Sequence, residues 1–358
     1  MTHYIAAKKL TQIVVKILTI AGSGTKEAKI VASHLVQSNL LGHDSHGVGM
    51  IPVYVSNISN GTLIPNQRPA KIKEEGAILV FDGQRGYGQR IAGEVMQNAI
   101  ANCRQNGLTV AALRNVHHIG RVGAYGEQSL AAGLISIHFV NVVGIGRIAP
   151  HAGRDGRLGT NPICIAIPGT TQAEPILLDM ASSKLSMGKV RLALEEGVAV
   201  QDDNLLDADG NPTNDPHVMY ADPPGAMLPA GSYKGYGIAL CCEVLAGVLC
   251  GGGTIQNRDG KAGGLINNML TILVDPQRLV DAGWMHREIK SLIRHVKASP
   301  PVDPKVPVRI AGEPEREKHG QRMETGIPLS SSSWQAICEA AEEVGISRAQ
   351  IEAVRDDN

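Results

Sequence analysis

LISIHFVNVVGIGRIAPHAG, residues 134–153, decides which kind of sheet this chain can build. An apolar run fit for a strand ends at Val143, and Gly144-Ile145-Gly146-Arg147-Ile148-Ala149 follows in the pattern G-x-G-x-x-A. That pattern marks a Rossmann turn only when it opens a long helix whose first N–H groups face a pyrophosphate. Here Pro150-His151-Ala152-Gly153 comes next, and GRDGRLG (153–159) is a poor helix former. No regular strand–helix alternation surrounds it. The expected sheet is therefore not a Rossmann unit.

On either side of this stretch lie further strand-like runs: LTVAAL at 108–113, ICIAIP at 163–168, PILLDM at 175–180 and LTILVD at 270–275. Helices are expected over 25–41, with Thr25 as N-cap and Gly42 as terminator, over the segment after the polar turn at His43, and from Ala92 to Gly107. KGYGIALCCEVLAGVLCGGG (234–253) reads as a buried helix stopped by glycines, and 200–232 as loop or turn-rich hairpin. The pattern turns helical again from Pro276, is interrupted by a Pro-rich segment at 299–314, and resumes in a final helix near Ser332. The fold class is mixed α/β, with helical segments from both termini packed together. The expected divisions are a helical segment 1–75 packing with 276–358, a small α/β subdomain 76–118, and a sheet domain 119–275.

The chain has 358 residues, with 34 Lys and Arg against 34 Asp and Glu. A neutral balance without a basic patch argues against nucleic-acid binding. Aromatics are only 3%, so the core must be aliphatic, and 41 glycines permit close backbone approach. The six cysteines (103, 164, 241, 242, 250 and 338) show no C-x-x-C spacing and read as buried reduced thiols. MTHYIAAKKL lacks the apolar core of a signal peptide, and the longest apolar stretch, Ile238 to Leu249, contains Glu243 and is too short to cross a bilayer. A soluble cytoplasmic protein is expected.

Four clusters carry chemistry. His43-Asp44-Ser45-His46-Gly47 packs polar groups between two apolar stretches; its plainer reading is a capped helix start. Asn115-Val116-His117-His118-Ile119-Gly120-Arg121 follows a strand, where sites in α/β proteins gather. A histidine there can hand a proton to a ketone oxygen, and an arginine can grip a carboxylate with its planar fork. Asp179-Met180-Ala181-Ser182-Ser183 ends another strand, its small residues suiting close approach of a ligand. Gly231 to Gly237, containing Lys234, opens the apolar helix and could receive phosphate. A metal-dependent hydrolase using His43, His46, His117 and His118 is the rival from another class, and a non-catalytic binding protein a second.

Together these clusters resemble the malate/L-lactate dehydrogenase family of the type-2, non-Rossmann kind, and within it the bacterial hydroxycarboxylate dehydrogenase subgroup. The resemblance rests on six ordered blocks: LLGHDSHGVGMIPVYV (40–55), NVHHIGRVGAYGEQ (115–128), GTNPICIAIPG (159–169), LLDMASSKLSMGKVR (177–191), GSYKGYGIALCCEVLAGVL (231–249) and RIAGEPE (309–315). It implies a non-Rossmann nicotinamide-binding sheet domain, NAD or NADP as cofactor without a metal, a small 2-oxo or 2-hydroxy acid as substrate, and a homodimer with its site near the subunit boundary. It places His46 and His118 at the nicotinamide and substrate as acid/base catalysts, leaving open which of them donates the proton. Ser45, Met50, Tyr54 and Arg121 are implied at the substrate. At the cofactor it implies His46, Gly120, Arg121, Val122, Ile176, Leu177, Leu178, Asp179, Met180, Ala181, Lys234, Asn268, Gly312, Glu313 and Pro314. One position departs from the family pattern. Many members have an arginine where this chain has Met50; the subgroup shares the methionine and also carries the arginine that is Arg121 here. Arg121 is therefore expected to take over part of the anion binding and to favour a broad range of 2-oxo acids.

Overall fold

In the computed structural model, residues 2–144, 146–170, 173–256 and 264–356 are described. The chain opens with strand β1 (Thr2–Ile5), then helices α1 (Ala7–Ile20), α2 (Thr25–Leu40) and α3 (Ile51–Ser59). Leu10, Ile13, Val14, Ile17 and Leu18 recur at helical spacing on α1 and are all buried. Thr25 is the first helical residue of α2 rather than its cap: Gly24 occupies that position, held by the Asn66 side chain, which accepts its N–H at 2.7 Å.

Next come β2 (Ala70–Glu75), β3 (Ile78–Asp82), α4 (Gly88–Asn106), β4 (Leu108–His117), α5 (Gly123–Ala131), β5 (Ile135–Val143), β6 (Ile163–Ile167) and β7 (Ile176–Met180). After α6 (Met187–Glu196) lie three two-residue strands, β8 (Leu205–Leu206), β9 (Pro212–Thr213) and β10 (Ala226–Met227), which pair antiparallel in line with the hairpin alternative for this stretch. Helix α7 (Tyr233–Cys242) runs on as a π-helical segment through Val248. The chain ends with β11 (Ile266–Val274), α8 (Ala282–Lys297), α9 (Glu313–Thr325), β12 (Ile327–Ser330), α10 (Ser331–Glu343) and α11 (Arg348–Asp356).

One seven-stranded sheet, in the order β2-β3-β4-β11-β5-β6-β7, organises the middle of the chain. Only β3 and β4 pair in parallel, so this is no doubly wound sheet. Ile145 of the G-x-G-x-x-A stretch lies outside the described residues. Beyond it Ile148 bridges to Leu158 and Met227, and no helix follows. Strand β2 belongs to this sheet, and 76–118 shares it with 119–275.

Helices α4 and α5 cover one face: Ile91, Val95, Met96, Ala99 and Tyr125 close over Phe81, Leu113, Val140 and Met269. A second core holds α1, α2 and α3 against α10 and α11, and β1 pairs antiparallel with β12, so the two ends of the chain do pack together. Helix α8 has no buried residue.

The α7 region departs from expectation. Rather than lying wholly inside, it buries one side and leaves Leu240, Val244, Val248 and Leu249 between 46% and 64% exposed. Cys241, expected to be buried, faces outward with them, while the other five cysteines are buried. Neighbouring residues on a helix diverge by 100°, so a two-sided helix exposes one member of the Cys241–Cys242 pair. Among the described residues no helix is long and apolar enough to cross a membrane.

Candidate active site

Strand β4 carries the centre of the site at its carboxyl end. Its last residue, His117, is fully buried, and its Nε2 meets the Asn57 side chain at 2.9 Å. The chain then leaves the strand, and His118 turns toward the 43–50 segment. There the Nδ1 atom of His46 lies 3.2 Å from His118 Nε2, with the two rings within 14° of parallel. On its other side, His118 Nδ1 lies 2.6 Å from the Tyr54 hydroxyl, which in turn receives the Gln89 amide N–H at 2.5 Å.

The 43–50 segment is braced from beneath. Asn39 donates to Asp44 at 2.7 Å and accepts from Val48 N at 2.8 Å, while Arg322 of α9 grips both Asp44 oxygens at 2.7 and 2.9 Å. Such a two-pronged pair fixes orientation as well as position.

Glycines let the pieces close in. At Gly88 a Cβ would strike the backbone carbonyls of His117 and His118, so only glycine brings the start of α4, and Gln89 with it, to this place. Gly120 has φ +75°, and a Cβ there would collide with His34 Nε2. That nitrogen instead accepts the Arg121 N–H at 3.0 Å.

Electrostatics keep the histidines neutral. His46 is lowered to about 4, chiefly by desolvation, then by the nearby charges of His43 and Arg121. His118 is lowered well below its usual value, again by burial first and then by His46, His117 and His34. Asp179 is raised by burial, opposed by His43, Arg121 and the Gly123 N–H, which its carboxylate accepts at 2.7 Å. Burial also raises the Tyr54 phenol.

The expected cofactor blocks converge on this spot, with two qualifications. Asp179 at the end of β7 meets the first turn of α5 beyond Gly120, Arg121 and Val122. Leu177 donates its N–H to Ala311 O at 3.1 Å, which seats Gly312, Glu313 and Pro314 on the strand holding Ile176, Leu178 and Met180, with Ala181 just past its end. Glu315, the next residue, lies 3.7 Å from His43 and keeps a buried Oε2 that meets no partner among the described residues. Lys234 is exposed at the start of α7, which abuts the turn after β7 through the Ala230 N–H to Ser182 O bond of 2.8 Å. Asn268, however, is fully buried in β11. Its amide serves Asn115 N, Asn141 and Gly253 O, next to a network in which Glu243 accepts from Asn141, Asn161 and Ile255.

The expected substrate residues divide. Ser45 and Met50 are half-buried on the 43–50 segment. Gly188 of α6 packs against Ser45, and Met50 leans on the terminal core. Tyr54 lies fully buried behind His118. Arg121 is only 2% exposed, and its guanidinium donates to Glu127 at 2.6 Å. Gln89 was not anticipated from the sequence. The four histidines of the hydrolase reading do not form a metal cage: among the described residues no group of three or more His, Cys, Asp or Glu could hold a metal ion.

A family profile described as malate/L-lactate dehydrogenase matches residues 5–338. Hydroxycarboxylate dehydrogenase B of Escherichia coli K12 is 42% identical over 353 residues, 98% of this chain and 97% of that protein. L-lactate dehydrogenase of Cupriavidus necator is 36% identical over 318 residues, 88% and 91% of the two chains. The solved sulfolactate dehydrogenase of Methanocaldococcus jannaschii superposes with a TM-score of 0.83 at 28% identity, covering 97% of this chain and 99% of that one. The chain belongs to the malate/L-lactate dehydrogenase family.

Proposed function

We propose that the protein is an NAD(P)-dependent oxidoreductase that interconverts a 2-oxo acid and a 2-hydroxy acid, with His46 and His118 as its acid/base pair. The observation that carries this reading is the contact of the two imidazoles, 3.2 Å apart, beside the junction of β7, the start of α5 and the Gly312 loop. A ketone reduced by hydride must gain a proton on oxygen; the resting pair is neutral, and a proton that it takes up as the anionic substrate binds can be passed to that oxygen, which returns the pair to neutral.

The residues present fit a dinucleotide. Gly120 and Gly312 sit at positive φ where backbone approaches closely, and the unpartnered Glu315 Oε2 is an acceptor for a ribose hydroxyl. Residues 120–122, 176–181 and 312–314 would hold the cofactor, with Lys234 offering a cation to a phosphate. When bound, the nicotinamide would supply or accept the hydride at the carbonyl carbon. Arg121 provides positive charge close to His46 and Asp179, which favours an anionic substrate. We also propose that the partner is a second copy of the chain, seated on the exposed Leu240, Val244 and Val248 ridge.

A panel of 2-oxo acids assayed with NADH and with NADPH tests the reading. Oxidation of either nucleotide dependent on a 2-oxo acid is the expected result. No turnover with any member of the panel, together with no binding of either nucleotide, would overturn it.

A further inference from the structure

Four side chains form a single file from the start of α4 to the site: Gln89, Tyr54, His118 and His46. Resting on the proposed acid/base role of the two histidines, we propose that Gln89 and Tyr54 are positioning residues that decide which ring nitrogen of each histidine carries its proton. The Nε2–H of His46 is then the group presented to the substrate oxygen.

The direction of the file follows from its first member. Gln89 donates from its amide nitrogen to the Tyr54 oxygen at 2.5 Å. The reverse placement of the amide would point its NH2 group where Oε1 now lies. Gln89 also lines a cavity of about 410 Å³ together with Lys29 and Arg121, and both of these are donors only. Among the described residues the Arg121 Nε is itself buried with no acceptor, as Gln89 Oε1 is buried with no donor. An amide oxygen on that side offers these two cations an acceptor.

Each later step follows from that placement. With one lone pair of its oxygen occupied by Gln89, Tyr54 turns its own proton toward His118 Nδ1, 2.6 Å away. Tyr54 is fully buried and burial holds the phenol protonated, so it stays a donor. A neutral imidazole that accepts at Nδ1 keeps its proton on Nε2. His118 Nε2–H therefore donates to His46 Nδ1 at 3.2 Å. His46 in turn keeps its proton on Nε2, an atom that meets no hydrogen-bond partner among the described residues. Among the described residues neither histidine has a carboxylate hydrogen-bonded to its ring. The orienting group that a carboxylate commonly supplies is here an uncharged phenol and amide.

The groups facing the pair are His34, His43, His117, Arg121 and Tyr54. None of them but Tyr54 hydrogen-bonds either imidazole, so the tautomer rests on the Tyr54–Gln89 pair.

The test reads the tautomer itself. In protein labelled with 15N-histidine at neutral pH, the ring-nitrogen shifts of His118 and His46 should show protons on Nε2 in both. Tyr54→Phe should abolish that preference at His118, and Gln89→Leu should weaken it with the phenol still present. Gln89→Glu introduces an acceptor-only group that draws the Tyr54 proton away and reverses the file, moving the His118 proton to Nδ1. In kinetics, Tyr54→Phe should lower kcat about tenfold with little change in KM for the 2-oxo acid, as expected for lost orientation rather than lost binding. Gln89→Glu should shift the histidine limb of the pH profile upward. A wild-type His118 protonated on Nδ1, or an unchanged tautomer in Tyr54→Phe and Gln89→Leu alike, overturns the proposal. Failure of the acid/base reading looks different: turnover would survive loss of the histidines whatever tautomer the spectra report.

Discussion

Arg121 and Glu127 form an ion pair at 2.6 Å across the first turns of α5, with the arginine 2% exposed. The cation expected to grip a substrate carboxylate is thus held from behind, and its charge reaches the site without its fork standing open. Arg121→Met should lower kcat/KM for 2-oxo acids by roughly tenfold to a hundredfold, the scale of a lost charged interaction. Glu127→Gln, which frees the guanidinium without removing it, should change kcat/KM far less. Dissociation constants for NADH on both variants separate the roles. A defect of Arg121→Met confined to NADH affinity would assign the arginine to the cofactor instead.

His46→Ala and His118→Ala should each reduce turnover by about 10²–10⁴, the usual range for a positioned acid/base group. Because His118 reaches the site through His46, the double variant should be little worse than His46→Ala alone. Near-normal turnover in both single variants would remove the pair from the mechanism.

The sheet was largely legible because five of its strands are apolar runs bounded by turn residues, from LTVAAL to LTILVD. Rejection of the Rossmann reading held for a local reason: Pro150 and the glycines after it cannot continue a helix. The pairing of β1 with β12 was not legible, since THYI and IPLS are four-residue strands from opposite ends of the chain whose register only tertiary packing sets. Helix α4 begins at Gly88 rather than at Ala92 because GYGQ looks like a loop until His117 and His118 are packed against it. Gln89 was missed for the same reason. Its partner Tyr54 lies on another helix, and no spacing in the sequence announces their contact.

Stability should fall in mild acid. His46 is lowered to about 4, and His34, His117 and His138 to about 3, in each case mainly by burial. These groups are neutral in both folded and unfolded chains above about pH 6.5, so they exact no penalty there. Below it the unfolded chain binds protons that the folded chain refuses, and each such histidine costs about 1.4 kcal/mol per pH unit until its folded pKa is reached. Urea midpoints at pH 7.5, 6 and 5 and fixed protein concentration should drop steeply over the last interval. His138→Gln, which removes a buried histidine of β5 far from turnover chemistry, should make the drop shallower. Equal midpoints at all three values would contradict the neutral, desolvated state of these side chains.

The α7 ridge tests the assembly. Leu240, Val244 and Val248 repeat at four-residue spacing, and Leu249 and Cys241 flank them on the same outward side. A helix apolar on both faces belongs inside a protein, yet among the described residues only one face is covered. A second copy would cover the other by a self-complementary contact, as a two-fold dimer requires. In sedimentation, the wild-type protein should run at twice the 37.9 kDa of the chain. Val244→Glu with Val248→Glu places two charges where the partner would seat and should yield monomers that keep their circular dichroism. Cys241, shielded in the dimer, should then react with a thiol reagent severalfold faster. A wild-type protein sedimenting as the single chain, or a double variant that still dimerises, would place the contact elsewhere.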